Sequence, residues 1–206
     1  MSSKAVKFHS RNLVTECRNG KHDICGCTLR IGGCVIDGKE EEELRLEIRN
    51  ITDGKWDDFF SILREASLWL QIEGKAMWDP HQLTPEHILK SCSTEQCYIG
   101  YQNYEAAAAM ILQEEDPIFW PDSKNDSLFI HKLAVRRKNA GKGFSHEMIE
   151  WAKTRTKELD KTYLRLDCAA DRPKLCSFYE KQGFRKVDER MMFGVYPTAF
   201  YEICSP

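Results

Sequence analysis

The stretch from Leu133 to Ser145 constrains this chain of 206 residues more than any other. Leu133-Ala134-Val135 ends an apolar strand, Arg136 to Ala140 make a basic turn, and Gly141-Lys142-Gly143-Phe144-Ser145 leads into an amphipathic helical pattern. The first N–H groups of a helix have no internal acceptors and lie at the positive end of its dipole, so an anion placed there meets donors and a favourable field. Gly141 and Gly143 let the backbone approach such a ligand without a Cβ in the way. Arg136, Arg137, Lys138 and Lys142 add cationic side chains that can reach phosphate oxygens. The expected ligand is a polyphosphate cofactor.

The loop is neither of the common nucleotide motifs. A hydrolase loop needs a Ser or Thr after Gly-Lys, where this chain has Gly143, and the Gly-x-Gly-x-x-Gly of dinucleotide folds is absent as well. Taken alone, Arg136 to Lys138 also read as a solvated charge run beside a tight turn. The neighbouring elements argue for the cradle.

Leu44 to Arg49 alternates apolar and charged residues, the period of a half-buried strand. The run from Trp56 to Leu70 then places Phe59, Ile62, Leu63, Ala66, Trp69 and Leu70 at helical spacing. Thr84-Pro85 opens a second helix that runs to about Ser91, with a cap and a proline at its first position. Strands are expected at Cys97 to Tyr101, Ala106 to Gln113 and Ser127 to Val135. The cofactor helix covers Gly141 to about Asp160, with Phe144, Met148, Trp151 or Ala152, and Leu159 inward. A strand at Tyr163 to Cys168, a helix from Pro173, and strands at Phe184 to Met192 and Ala199 to Cys204 complete the order. Residues 1–43 are expected to be a separate cysteine-rich, hairpin-like extension, with the main domain at 44–206.

Ser127 to Lys186 resembles the GCN5-related N-acetyltransferase (GNAT) family. The family's loop, Arg/Gln-x-x-Gly-x-Gly/Ala, falls on Ala140-Gly141-Lys142-Gly143-Phe144-Ser145, where Gly143 fits and Ala140 and Ser145 depart. A second signature, a tyrosine followed by Gly-Phe, is present as Tyr179 with Gly183-Phe184. The asparagine that often precedes this tyrosine by seven residues is Arg172, which puts one cofactor-side hydrogen bond in question. The resemblance implies an α+β fold with a mixed central β-sheet flanked by helices, the acyl-CoA N-acyltransferase architecture. It implies acetyl-CoA as donor, with pantetheine along the fourth strand and pyrophosphate at the helix N-terminus.

In that setting acetyl transfer to an amine needs a donor for the developing oxyanion, and a backbone N–H near Leu133, Ala134 or Val135 is the natural one. Tyr179 stands where family members place the acid that protonates the leaving thiolate, although a core tyrosine beside Phe178 is the plain alternative. The glutamate base of histone-type members would fall on Phe129, which cannot serve. His131, where arylalkylamine-type members carry a histidine, is the candidate base, against the reading of a structural strand histidine. Asp167, or Glu114 or Glu115, is expected to orient the amine or relay its proton, and Trp78, Trp120 and Phe119 to line the acceptor mouth.

Formal net charge is −2, so the molecule as a whole does not have the charge of a general nucleic-acid binder, and no apolar run approaches a membrane span. The N-terminus lacks the apolar core of a secretory signal, and nine cysteines, an odd number, suit a reducing cytoplasm. The expected partner is a small-molecule or peptide amine acceptor, with the protein a monomer or homodimer and no resident metal. Cys17, His22, Cys25, Cys27 and Cys34 form the one cluster that could hold zinc, but it lacks paired Cys-x2-Cys knuckles. Two other classes stay open: a non-catalytic acyl-CoA sensor, and a zinc or nucleic-acid adaptor.

Overall fold

The computed structural model describes residues 45–51 and 54–204. The cysteine-rich stretch 1–43, with Cys17, His22, Cys25, Cys27 and Cys34, lies outside them. Among the described residues, seven strands form one sheet: β1 (Glu47–Asn50), β2 (Cys97–Gln102), β3 (Glu105–Gln113), β4 (Ser127–Val135), β5 (Tyr163–Ala169), β6 (Arg185–Met192) and β7 (Tyr196–Cys204). Four helices accompany it: α1 (Trp56–Ile72), α2 (Pro85–Ile88), α3 (Phe144–Glu158) and α4 (Pro173–Lys181). Strand order is β1-β2-β3-β4-β5-β7-β6. Pairing is antiparallel except between β4 and β5, which α3 joins as a crossover.

β3 shows why the sheet is central. Ala106 to Leu112 is apolar at every position and buried throughout, so β3 is covered on both faces. Ala108, Met110 and Leu112 join a core with Met148, Ile149 and Ala152 of α3, while Ala106, Ala109 and Ile111 join Phe59, Ile62 and Leu63 of α1. Each large side chain so buried contributes roughly 1.5–3 kcal/mol.

α2 is shorter than its sequence suggests. Thr84 caps it by accepting from the His87 N–H at 3.4 Å, but after Ile88 the chain continues in turns rather than helix to Ser91. α3 begins at Phe144, not Gly141, because Gly141 and Gly143 take φ of 82° and 87°, outside the right-handed helix. Its inner face is Phe144, Met148, Ile149, Ala152 and Thr156; Leu159, expected inside, falls past the helix end and is 36% exposed. No helix of the described residues is long and apolar enough to cross a membrane.

Candidate active site

Two departures from regular pairing in β4 create the site. The first is its separation from β5. Ser127 to Ile130 pair with Tyr163 to Leu166, and beyond Ile130 the register stops. Asp167, Cys168 and Ala169 of β5 continue on β7 alone, while Ala134 and Val135 continue on β3 alone. The facing backbone edges of β4 and β5 are therefore free of each other, in the middle of a sheet, and offer donors and acceptors to an extended ligand.

The second departure is a bulge. Ile111 faces His131 and Ala109 faces Ala134, so Lys132 and Leu133 together oppose Met110. Lys132 has φ of 50°, a left-handed conformation that costs a non-glycine residue about 1–2 kcal/mol. Its effect is to turn two consecutive side chains toward one face: His131 reaches Asp116, and Lys132 feels the charge of Asp167. Strain of this kind gathers at functional sites.

The His131 side of the cleft is a buried polar cluster. His131 Nε2 lies 3.7 Å from Asp116 Oδ2, and both atoms are buried without a hydrogen-bond partner. Ligand atoms of Asp116, His131 and Asp167 lie within 4.8 Å of one another, a spacing that suits a small cation such as an ammonium. Burial pushes the His131 imidazole below its ordinary pKa; Asp116 pulls the other way and Lys132 adds to the depression. Burial, then the Asp116 charge, raises the Asp167 carboxyl to about 7, against Lys132 and a backbone hydrogen bond. Burial also lowers Lys132, opposed by Asp167 and Cys92. Its ammonium sits 5.2 Å from the Trp78 ring centre. Trp120 contacts Phe129 and Phe200 at ring distances of 6.0 and 5.3 Å, and its indole N–H is, among the described residues, a third buried polar group left unpaired.

Across the cleft, Tyr179 of α4 is packed with Phe178, Phe184 and Tyr201 and is 9% exposed. It belongs to the same core as Leu166 and Cys168, whose side chains leave β5 on the face opposite Asp167. Burial, with the neighbouring Cys168 and Asp167, raises its phenol well above the ordinary range, so the proton stays on at neutral pH. The arrangement accommodates both Tyr179 readings, an acid and a core residue. Cys168 and Cys176 beside it are free thiols with Sγ atoms 4.0 Å apart.

The glycine turn fits a phosphate group. A Cβ built on Gly141 or Gly143 meets nothing within 4 Å, so open space lies over both. The first bonds of α3 run from the His146 and Glu147 N–H groups to the Gly143 carbonyl, which places the N–H groups of Gly143, Phe144 and Ser145 ahead of the helical ladder. The basic residues divide differently from their sequence expectation. Arg136 donates to the Ala106 carbonyl (2.7 Å), Glu65 Oε2 (3.0 Å) and Ser61 Oγ (2.5 Å), which ties the turn to α1 and β3 and leaves its guanidinium no reach for a phosphate. Arg137 stacks 3.8 Å above Trp69, and Lys138 pairs with Glu105. Lys142, bonded to neutral Asn139 Oδ1 at 3.0 Å, has no carboxylate partner among the described residues. Arg172 donates to the Ala76 carbonyl at 3.1 Å and so braces the segment carrying Trp78.

Sequence reasoning missed Asp116 and the orientation of Lys132. It had looked one and two residues too early, at Glu115, which is exposed, and at Glu114, which pairs with Lys161 at 2.8 Å. The signal for Asp116 was its place before Pro117: its Oδ1 accepts the Phe119 N–H at 3.1 Å and fixes the aromatic loop against β4.

Comparison with known proteins points to one family. The profile of the Acetyltransferase (GNAT) family matches residues 56–184. A Bacillus subtilis (strain 168) protein named an uncharacterized N-acetyltransferase, YesJ, is 29% identical over 161 residues, 68% of this chain and 87% of its own. A GNAT-family acetyltransferase structure from Listeria monocytogenes superposes with a TM-score of 0.63 at 19% identity, covering 77% of this chain and 94% of its own. The Salmonella typhimurium putative acetyltransferase yncA, solved with its cofactor acetyl-CoA, superposes at 0.60 and 12% identity, covering 78% and 94%. The last two likenesses speak for the fold.

Proposed function

Since the chain belongs to the GNAT acetyltransferase family, we propose that it transfers the acetyl group of acetyl-CoA directly to a primary amine in a ternary complex. The observation that carries this reading is the parting of β4 from β5 after Ile130, which opens a backbone-lined cleft between the Asp116–His131 pair and Tyr179. Acetyl-CoA supplies an activated thioester. Gly143, Phe144 and Ser145 N–H groups, with Lys142, hold its phosphates, and the free edge of β4 from Leu133 to Val135 holds its pantetheine arm and carbonyl oxygen.

His131 takes the proton of the acceptor amine. Its depressed pKa keeps it neutral at pH 7, and the positive charge it gains falls beside Asp116. Asp167 binds the amine before it is deprotonated. Tyr179, protonated at neutral pH, gives its proton to the departing sulfur. Differential scanning fluorimetry with acetyl-CoA tests the first step: an upward shift in melting temperature that grows with ligand concentration is expected, and no shift at saturating ligand contradicts it.

A further inference from the structure

The acetyltransferase reading leaves the acceptor unspecified, and the His131 side of the cleft restricts it. Asp116 is 7% exposed, and its Oδ2 has no partner. A buried carboxylate oxygen left unpaired is costly, and a ligand cation removes that cost. Asp167 faces the same space, so one ammonium fits between the two acids. A second cation is disfavoured, because Lys132 already fills the aromatic face of Trp78 and holds the Asp167 flank.

The way out of this space is lined by aromatic rings, with the Arg165 and Arg190 guanidiniums over Trp120 (4.9 Å) and Phe200 (4.2 Å). Trp120 rests on Phe200, Phe200 on Phe119 (6.4 Å), Phe119 on Phe193 (6.0 Å), and Phe193 on Tyr196 (6.4 Å). The chain of rings climbs from the buried cluster to the β6–β7 hairpin tip, where Phe193 is 67% and Tyr196 62% exposed. The Arg190 guanidinium, donating to the Phe119 carbonyl at 2.6 Å, ties that hairpin to the Asp116–Trp120 loop. Exposed aromatic side chains contiguous with a buried polar cluster whose atoms lack partners mark a binding surface.

Building on the acetyltransferase reading, we propose that the acceptor is an apolar monoamine: a single primary ammonium seated between Asp116 and Asp167, on an aromatic or aliphatic body lying along Trp120, Phe119 and Phe193. In transfer, the bound ammonium gives one proton to His131, the amine nitrogen then forms a bond to the acetyl carbon, the carbon–sulfur bond breaks, and the second proton shed by nitrogen replaces the one that Tyr179 gives to sulfur, so that coenzyme A leaves as the thiol. Lys132 rejects diamines and polyamines by like-charge repulsion, and the Arg165 and Arg190 guanidiniums over Trp120 and Phe200 reinforce that rejection along the ring path.

The test follows free-thiol release by the full chain with acetyl-CoA and either 2-phenylethylamine, 1,5-diaminopentane, spermidine or phenylalanine. We expect kcat/KM for 2-phenylethylamine to exceed that for each of the others by about tenfold or more. Phe193→Ser should raise KM for 2-phenylethylamine several-fold with kcat little changed, and Lys132→Asn, which tolerates the left-handed backbone, should narrow the gap to the diamine. The acetyl-CoA thermal shift of each variant reports that it is folded. A diamine or phenylalanine used as well as 2-phenylethylamine, an unchanged KM in Phe193→Ser, or acetyl-CoA binding without turnover of the apolar amine overturns the inference. Absence of both acetyl-CoA binding and thiol release with every amine would instead overturn the acetyltransferase reading.

Discussion

Asp167 shows at the scale of one residue what burying a carboxyl costs. Its carboxyl titrates near 7 in the folded protein and near 4 in an unfolded chain, so the folded state binds the extra proton between those values. The resulting stabilisation is complete below about pH 4 and is lost as pH rises through about 7, where the charge must sit among Asp116, His131 and Lys132. Asp167→Asn is therefore expected to melt higher than the parent at pH 8, by an amount that shrinks toward pH 5; a gap independent of pH contradicts this. Asp116→Asn probes the other acid. Without the counter-charge the protonated imidazole is less stable, so kcat/KM should fall about tenfold or more and the acidic limb of the pH–rate profile should move down from its parent value. At this scale the sequence names His131, Tyr179 and Asp167, and the fold brings them to the two sides of one cleft. Asp116 escaped because its partner lies fifteen residues away across a loop whose path only the fold determines.

Among elements, alternation and apolar runs placed the seven strands and α1, α3 and α4 to within a few residues. What they could not place was irregularity. The bulge at Lys132 carries no glycine or proline to announce it, yet it is what turns His131 and Lys132 to one face. The α3 start was misread by three residues because Gly141-Lys142-Gly143 continues the helical pattern in letters but not in φ. The Gly143 turn yields a prediction at this scale. Gly143→Ala meets no clash, since nothing lies within 4 Å of the added Cβ, but its φ of 87° should cost about 1–2 kcal/mol of stability. The Cβ also enters the space assigned to phosphate, so acetyl-CoA affinity should weaken in titration calorimetry; unchanged affinity would argue that the phosphates lie elsewhere.

For the molecule as a whole, the decisive relation is between the basic turn and the body of the fold. Arg136 reads in sequence as a phosphate ligand and in the structure as a clamp joining α1, β3 and the end of β4. Removing it should strand buried partners, so Arg136→Gln is expected to lower unfolding free energy by about 1–3 kcal/mol while acetyl-CoA affinity at a temperature where the variant is folded changes little. A phosphate-binding arginine would show the reverse. The same clamp fixes the end of β4, the strand that lines the cleft between His131 and Tyr179, and the central claim is that transfer occurs across this cleft. Steady-state release of free thiol from acetyl-CoA, with a primary amine present, tests it in one assay on the parent, His131→Gln and Tyr179→Phe. The account predicts turnover by the parent, a fall of about 100-fold or more in kcat/KM for His131→Gln and in kcat for Tyr179→Phe, and an undiminished acetyl-CoA thermal shift in both variants. Parent-like turnover in either variant, or none in the parent despite acetyl-CoA binding, would contradict it.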